Sequence, residues 1–301
     1  MSTSEVSNNA VIYTKVFETG LPVINEHFKV VERKINISST KLEKDEILVK
    51  NLYISLDLFI LTRMKSSDVK NYLGLFPIGS VLESGCISVV VKSNNDQWKE
   101  GDLYSGTSGW EEYTIISPEA AKQALPFKQY LKNSLDNGIP LSYSLGILGM
   151  PGMTAYVGLD MIGKPKKGET IFISTAAGGV GQVVGQIAKL KGLKVVGSTV
   201  DIGQALKEIC PEGIDIFFDS VNGETLDKVL PNLNEDARVI SCGMTSQYNS
   251  ESVYGIMTNI MIHFKKICYN GFLDLYNSKG FVLLNCFYVW VKLELFDLLV
   301  I

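Results

Sequence analysis

The stretch ETIFISTAAGGVGQVVGQIAKL, residues 169–190, decides the fold of this chain. Its first part, Thr170–Ser174, is a short apolar and β-branched run that predicts a buried parallel strand. From Val183 onward, apolar residues recur at helical spacing. Glycines crowd the turn between these two parts. A strand, a glycine turn and a helix in this order are typical of the first βα unit of a dinucleotide-binding fold.

The glycine turn follows the pattern G-x-G-x-x-G, with Ala176 in the first place and Gly178 and Gly181 in the other two. A small first residue permits the tight turn, Gly178 lets a pyrophosphate approach the backbone, and Gly181 lets the helix and strand pack closely. The helix N-terminus offers its N–H groups and positive dipole end to the phosphates. We therefore predict a dinucleotide site here; the alternative is a glycine-rich loop without a ligand.

Composition excludes several classes of function. The 301 residues are 46% hydrophobic with a net charge of −4, which predicts two domains with substantial cores. Acidic and basic residues are mixed along the chain, whereas a nucleic-acid surface needs a basic stripe. The five cysteines are scattered without a C-x-x-C pair, which favours a reducing, cytoplasmic location. Zinc is disfavoured because neither His27 nor His263 lies near another potential ligand in the sequence.

The N-terminal half reads as a β-rich domain, which we expect over residues 1–145. Its short strand-like runs are Val11–Val16, Phe28–Ile35, Glu46–Ile54, Ser88–Lys92 and Glu112–Ile116. The segment Pro118–Gly138 is polar, and we expect it to be mostly loop with one short helix over Ala120–Leu131.

After the first βα unit, strands and helices alternate. The predicted strands are Leu193–Ser198, Ile214–Phe218 and Arg238–Cys242, and a helix is predicted over Glu224–Leu233. Such alternation predicts a doubly wound parallel sheet over residues 146–275. In the remaining tail, 276–301, the run Phe281–Val291 is almost wholly apolar but too short to cross a bilayer, which favours a buried element over a membrane anchor.

Three motifs in order carry a resemblance to a known family. They are LGMPGMTAY at 148–156, the turn Ala176–Gly181 and CGMTSQYN at 242–249. Together they resemble the zinc-independent medium-chain dehydrogenase/reductases, and most of all the NADP-dependent alkenal double-bond reductases and prostaglandin reductases. The resemblance covers roughly residues 10–275. It implies an α/β protein with a GroES-like β-rich domain, a Rossmann domain with a doubly wound parallel sheet, and an active site between them.

The resemblance also implies the chemistry. NADPH would deliver a hydride to the β-carbon of an α,β-unsaturated aldehyde or ketone, and donors near the carbonyl oxygen would stabilise the enolate. Tyr248 matches the family tyrosine that meets the nicotinamide ribose and is a candidate proton donor. Family members are commonly homodimers. The implied cofactor contacts are Met150, Thr154, Ala176, Ala177, Gly178, Gly179, Val180, Gly181, Ser198, Ser220, Cys242, Gly243, Tyr248, Phe272 and Leu273.

The substrate pocket departs from the family pattern. Phe59 stands where the family has a substrate-facing tyrosine, and Cys86 stands where it has a second pocket tyrosine. Ser220 replaces an asparagine that touches the cofactor. The loss of one or two enolate donors would raise the barrier by a few kcal/mol.

A larger departure is a gap between Val200 and Asp201, where the family carries a further helix and strand of about two dozen residues, one βα unit. That unit holds the family lysine for the 2′-phosphate; Lys191 and Lys194 are the nearby basic residues here. Ser198 stands where NAD enzymes place an acidic residue, which favours NADPH.

Beyond residue 275 the elements that complete the family's catalytic domain are absent, which suggests a truncated or mis-spliced gene product. Three interpretations follow. The first is an NADPH-dependent enal and enone reductase, and the second is a non-catalytic remnant of one. The third is a quinone reductase of the same superfamily, which the MPGMTAY and SQYN matches disfavour.

Overall fold

The structure, a computed structural model, describes residues 5–66, 74–198 and 205–249. The chain divides into two units, with the boundary between Gly146 and Ile147. Several expectations fall outside the described residues: the gap between Val200 and Asp201, the cofactor contacts Phe272 and Leu273, and the tail 276–301.

The first unit is built on antiparallel strands. In chain order they are β1 (Val6–Ser7), β2 (Ala10–Tyr13), β3 (Phe28–Val31), β4 (Lys34–Ile35), β5 (Ile47–Ile54), β6 (Glu83–Ser93), β7 (Leu103–Gly109) and β8 (Tyr113–Ile116). One sheet has the order β7-β6-β5-β8, while β1 pairs with β4 and β2 with β3. This unit is the β-rich domain that the sequence predicts.

Strand β7 is not predicted from the sequence, because its residues, LYSGTSG, have low strand propensity. Its pairing with β6 explains why it forms, since the register runs from Glu83 opposite Gly109 to Val89 opposite Leu103. The same pairing extends β6 beyond the expected bounds of Ser88–Lys92. Tertiary hydrogen bonding therefore overrides local propensity in this hairpin.

The segment that we expected to be mostly loop forms a long helix. The helices described in the first unit are α1 (Ile60–Arg63) and α2 (Pro118–Asp136). Helix α2 begins where the Ser117 hydroxyl accepts a hydrogen bond from the N–H of Ala120 at 3.3 Å. The helix buries Ala121, Ala124 and Leu131 despite a proline in its interior. Burial of this apolar face explains why the helix extends beyond the predicted Ala120–Leu131.

The second unit contains a parallel sheet. Its strands are β9 (Thr170–Ile173), β10 (Lys194–Gly197), β11 (Ile214–Asp219) and β12 (Leu233–Ser241). Its described α-helices are α3 (Met150–Val157), α4 (Gly181–Leu190), α5 (Ala205–Ile209) and α6 (Glu224–Val229), and a π-helical turn, Gly158–Gly163, continues α3. The strand order is β10-β9-β11-β12 with parallel pairing throughout, which confirms the predicted doubly wound sheet.

Both faces of this sheet are buried, which explains the continuous apolar runs of its strands. On one face, Ile171 and Ile173 pack in a cluster with Val184 of α4. On the other face, Phe172 packs in a cluster with Val229 of α6. Successive side chains of β9 therefore point into different cores, as the pleat requires.

Helix α6 ends earlier than predicted. A tight 3₁₀ turn, Leu230–Asn232, follows it in place of the helical continuation to Leu233. Pro231 has no N–H to continue the helix, and Leu233 already begins β12.

Helix α4 connects β9 to β10 on one side of the sheet, while β11 lies on the other side of β9. The strand order therefore reverses at β9. In open α/β sheets, ligands bind at the carboxyl ends of the strands beside such a switch point. A ligand is therefore expected at the loops that follow β9, β10, β11 and β12.

Candidate active site

The glycine turn joins β9 to α4 through a strained first residue, Thr175, whose φ is +49°. The N–H of Gly178 donates to the carbonyl of Thr175 at 2.9 Å and closes the turn. A Cβ on Gly181 would lie 2.3 Å from the Thr175 oxygen and 2.8 Å from Cα of Ala176. Only glycine fits at position 181, so the helix starts directly against the turn, as the fingerprint requires.

The turn is fastened to the end of the neighbouring strand. The N–H of Ala176 donates to the carbonyl of Ser198 at 2.9 Å, and the N–H of Ser198 donates to the carbonyl of Ile173 at 3.0 Å. Ser198 follows β10 directly. The structure therefore brings Ser198 next to the first fingerprint residue.

The start of α3 borders the same turn. A Cβ on Gly179 would lie 3.6 Å from Cβ of Pro151, an ordinary van der Waals contact. Met150 precedes Pro151 and is half exposed, while Thr154 lies one turn further along α3. Ala177 and Val180 complete the segment between β9 and α4. The start of α3, within the motif at 148–156, therefore lies beside the glycine turn.

The loops after β11 and β12 also meet. The N–H groups of Cys242 and Gly243 both donate to the carbonyl of Asp219, at 2.7 and 3.2 Å. A Cβ on Gly243 would lie 3.0 Å from the carbonyl oxygen of Ser220. Ser220, Cys242 and Gly243 therefore share one edge of the sheet with the glycine turn.

Tyr248 follows a short 3₁₀ turn, Thr245–Gln247, and is partly buried. The hydroxyl of Thr245 donates to the carbonyl of Ser220 at 3.1 Å. The candidate proton donor thus lies on a loop that docks against the segment after β11. The loops at 176–181, 220–223 and 242–248 all lie at the carboxyl edge of the sheet.

Sequence reasoning missed Asp219, the last residue of β11, which is fully buried. Its Oδ1 accepts hydrogen bonds from the N–H groups of Val221 and Asn222, both at 2.9 Å. Burial raises the pKa of this carboxyl, and these hydrogen bonds oppose the rise only in part. Its Oδ2 has no hydrogen-bond partner among the residues described. The sequence does hold a signal for this residue, because Asp219 is an acidic residue at the end of an apolar strand.

The two candidate substrate residues lie in the first unit. Phe59 immediately precedes α1, where its side chain packs against a cluster that includes Tyr13 and Met64. Cys86 is fully buried on β6, and the Ser88 hydroxyl donates to its Sγ at 3.3 Å. Burial raises the pKa of the Cys86 thiol. Cys86 belongs to a buried core cluster, so its thiol is closed to a substrate.

The two lysines near the expected 2′-phosphate site lie at the wrong end of the sheet. Lys191 caps the C-terminus of α4 and forms an ion pair with Asp160 at 3.0 Å. Lys194 is the first residue of β10, whereas Ser198 follows its last. Neither lysine is therefore a neighbour of the glycine turn.

Within residues 5–66, 74–198 and 205–249, no group of three or more His, Cys, Asp or Glu side chains could hold a metal ion. Across the same ranges, every helix is too short or too polar to cross a membrane.

Known proteins are similar in sequence to this chain over most of its length. Residues 18–124 match a family described as the N-terminal domain of oxidoreductase. A zinc-type alcohol dehydrogenase-like protein of Schizosaccharomyces pombe is 41% identical over 89% of this chain and 82% of its own length. The NADP⁺-dependent 2-alkenal reductase of Nicotiana tabacum is 39% identical over the same shares. The chain belongs to the NADP-dependent alkenal double-bond reductases.

A solved structure with bound NADPH is similar to this chain. The CurA protein of Vibrio vulnificus in complex with NADPH is 28% identical, with a TM-score of 0.68 over 94% of this chain and 88% of CurA.

Proposed function

We propose that this chain uses NADPH to reduce the carbon–carbon double bond of α,β-unsaturated aldehydes and ketones. The observation that carries the proposal is the glycine turn at the switch point of the sheet. There Gly181 admits no side chain, and the motif residues of 150–154, 176–181 and 242–248 surround one edge. Membership in the alkenal double-bond reductases supplies the reaction class.

The residues present fit a dinucleotide phosphate. The turn leaves bare backbone at Gly178, and α4 directs its N-terminal N–H groups towards this edge. Ser198 itself places no carboxylate beside the ribose position, so this residue does not repel a 2′-phosphate. When bound, NADPH supplies the hydride.

The reaction balances with one hydride and one proton. The hydride adds to the β-carbon, the π electrons move onto the carbonyl oxygen as an enolate, and a proton added to the α-carbon gives the saturated carbonyl compound. A hydrogen-bond donor at the oxygen lowers the barrier to the charged state. We assign that contact, or one to the cofactor ribose, to the phenol of Tyr248. Phe59, at the position of the family's substrate-facing tyrosine, has no hydroxyl to donate.

Two measurements test the proposal. Titration of NADPH followed by its fluorescence should show saturable binding, with weaker binding of NADH. Steady-state turnover of a simple 2-alkenal with NADPH should then exceed turnover of a quinone. Binding without turnover of any enal or enone would favour the non-catalytic remnant, and preference for quinones would favour a quinone reductase.

Finer properties belong to the same proposal. Metal-independent catalysis is supported by a chain with two histidines and no C-x-x-C pair. A cytoplasmic location is supported by the scattered cysteines. Light scattering would test whether the chain forms the homodimer common in the family.

A further inference from the structure

The loop that carries Tyr248 is held by a neighbouring turn. The N–H of Ser246 donates to the carbonyl of Val221 at 3.2 Å, and the Ser246 hydroxyl donates to the same oxygen at 2.7 Å. Thr245 forms the equivalent pair with the carbonyl of Ser220, at 3.2 Å from its N–H and 3.1 Å from its hydroxyl. Four hydrogen bonds therefore fix residues 245–246 to the turn 220–221, two residues before Tyr248.

The side chain of Asp219 holds the neighbouring segment, residues 220–222, in place. Its Oδ1 accepts the N–H groups of Val221 and Asn222, so the carbonyls of Ser220 and Val221 face the loop at 245–246. Asn222 has a φ of +64°, a conformation that costs a non-glycine residue about 1–3 kcal/mol and persists only when its surroundings enforce it. The carboxylate provides that constraint.

Asp219 also connects the turn to the central strand. The Ser174 hydroxyl, directly after β9, donates to Oδ1 of Asp219 at 3.1 Å and accepts the N–H of Ser220 at 2.8 Å. Through its backbone carbonyl, Asp219 holds Cys242 and Gly243 after β12. One buried residue thus joins the ends of three adjacent strands.

We propose that Asp219 is a positioning residue that places Tyr248 for the reduction, without itself touching substrate. The path runs from the carboxylate to the turn 220–222, from its carbonyls to residues 245–246, and then along the chain to Tyr248. This inference rests on the proposed function for the role of Tyr248, but the placement of the loop is independent of activity.

A matched control lies at the other end of the same strand. Asp215 also uses its carboxylate to hold backbone and side chain, since Oδ2 accepts the N–H of Thr170 at 2.7 Å and Oδ1 accepts the Asn234 amide at 2.8 Å. These contacts are at the amino edge of the sheet, away from Tyr248. Asp215→Ala and Asp219→Ala therefore remove comparable contacts from opposite edges.

The first experiment is hydrogen–deuterium exchange on the full chain, without ligand. In Asp219→Ala, the amides of residues 219–223 and of Thr245 and Ser246 should exchange faster by about tenfold or more. In Asp215→Ala, those amides should exchange as in the parent. Asp219→Asn keeps an acceptor oxygen and should restore most of the protection. Unchanged exchange at Thr245 and Ser246 in Asp219→Ala would overturn the proposal.

The second experiment is a double-mutant cycle on turnover of a 2-alkenal. Asp219→Ala should lower kcat by about 10- to 100-fold, the cost of a displacement near 1 Å at a reacting group. In a Tyr248→Phe background, the same change should lower kcat by less than about twofold, because the contact it positions is already gone. Equal losses in both backgrounds would show that Asp219 acts independently of Tyr248 and would contradict the proposal.

If Asp219→Ala does not fold, a second variant tests the same proposal. The double change Thr245→Val and Ser246→Ala cuts both hydroxyl links but leaves Asp219 in place. It should also lower kcat only when Tyr248 is present; a loss of the same size without Tyr248 would again contradict the proposal. If the parent reduces no enal at all, the proposed function fails, while the exchange result still decides whether Asp219 positions the loop.

Discussion

The two edges of the parallel sheet are built differently. At the amino edge, Arg238 forms a bidentate ion pair with Glu169 at 2.9 and 2.6 Å and donates to the carbonyl of Gly163 at 2.9 Å. Positive φ values of non-glycine residues occur on both sides, at Lys164 and Asp236 on the amino side and at Thr175 and Asn222 at the carboxyl edge. Several buried polar atoms there lack partners among the described residues: Asp219 Oδ2, Asn222 Nδ2, Gln247 Oε1 and Nε2, and Asn249 Oδ1.

This contrast separates stability from function. Paired, hydrogen-bonded charges at the amino edge stabilise the unit and need no ligand. Unpartnered buried polar groups are costly for folding, and in a native structure they call for an explanation such as a functional role. These unpartnered groups lie at the carboxyl ends of the strands, the edge where ligands bind beside the switch point. We therefore expect substitutions at the two edges to have different effects, on activity at one and on stability at the other.

The largest effect is expected from Gly181→Ala. Its methyl group would lie 2.3 Å from the Thr175 oxygen, so the turn must move away from the helix N-terminus. We expect NADPH affinity to fall by about 100-fold or more, equivalent to about 3 kcal/mol. The control is Gly185→Ala on the same helix, whose methyl would find ordinary contacts of 3.6 and 3.7 Å. Fluorescence titration of both variants checks this, and parent-like binding by Gly181→Ala would refute the phosphate site.

Tyr248→Phe comes next. It keeps the ring and removes a single donor, so the free energy of unfolding should change by no more than about 1 kcal/mol. The rate of 2-alkenal reduction should fall by roughly one to three orders of magnitude, as when one oxyanion donor is lost. Tyr130→Phe is the control, because it removes a phenol that is hydrogen-bonded to Ser134 on α2. A parent-like rate in Tyr248→Phe would remove Tyr248 from the mechanism.

At the amino edge, Glu169→Gln should affect stability alone. Both side chains of the pair are about one-sixth exposed, 17% for Glu169 and 16% for Arg238. Removal of one partner should lower the free energy of unfolding by about 1–3 kcal/mol and leave NADPH affinity unchanged. Glu224→Gln breaks an exposed pair with Lys228 and should cost less than about 0.5 kcal/mol. Urea unfolding measures both; a change in NADPH affinity in Glu169→Gln would contradict the division between the edges.

The sequence predicts the parallel sheet well because its signals are local. The strand, turn and helix of residues 169–190 are recognisable from the spacing of their apolar residues and from the glycines between them. Helix α2 is underestimated because its buried face, including Ala121 and Leu131, depends on the sheet beside it. The burial of Cys86 depends likewise on β6 pairing with β5 and β7.

The candidate site is predictable where a motif marks it and hidden where contacts are distant. The glycine turn is recognisable from its own residues. The hydrogen bond between Ser174 and Asp219 joins residues 45 positions apart, and no spacing rule in the sequence connects them. The docking of Thr245 onto Ser220 is equally nonlocal.

The smallest expected effect concerns pH, and it has opposite signs at the two edges. At the amino edge, burial alone would raise the pKa of Glu169, but its hydrogen bonds to Arg238 and Lys166 and the Arg238 charge outweigh burial and lower it. A lowered folded-state pKa means that the carboxylate contributes stability above its ordinary value of 4.5, and this contribution is lost as pH falls through the folded pKa. The stability difference between the parent and Glu169→Gln should therefore shrink in acid.

Asp219 behaves in the opposite way, because burial raises its folded-state pKa above that of the unfolded chain. Its ionised form costs stability at neutral pH, and protonation relieves that cost as pH falls through the raised value. The parent should then gain stability relative to Asp219→Asn as the solution is acidified, while it loses stability relative to Glu169→Gln. Urea unfolding of the three proteins from pH 7 to about pH 3 measures both trends, because the Glu169 contribution is lost only below its ordinary pKa of 4.5. Equal slopes for the two variants would mean that the carboxylates at the two edges are not in different electrostatic environments.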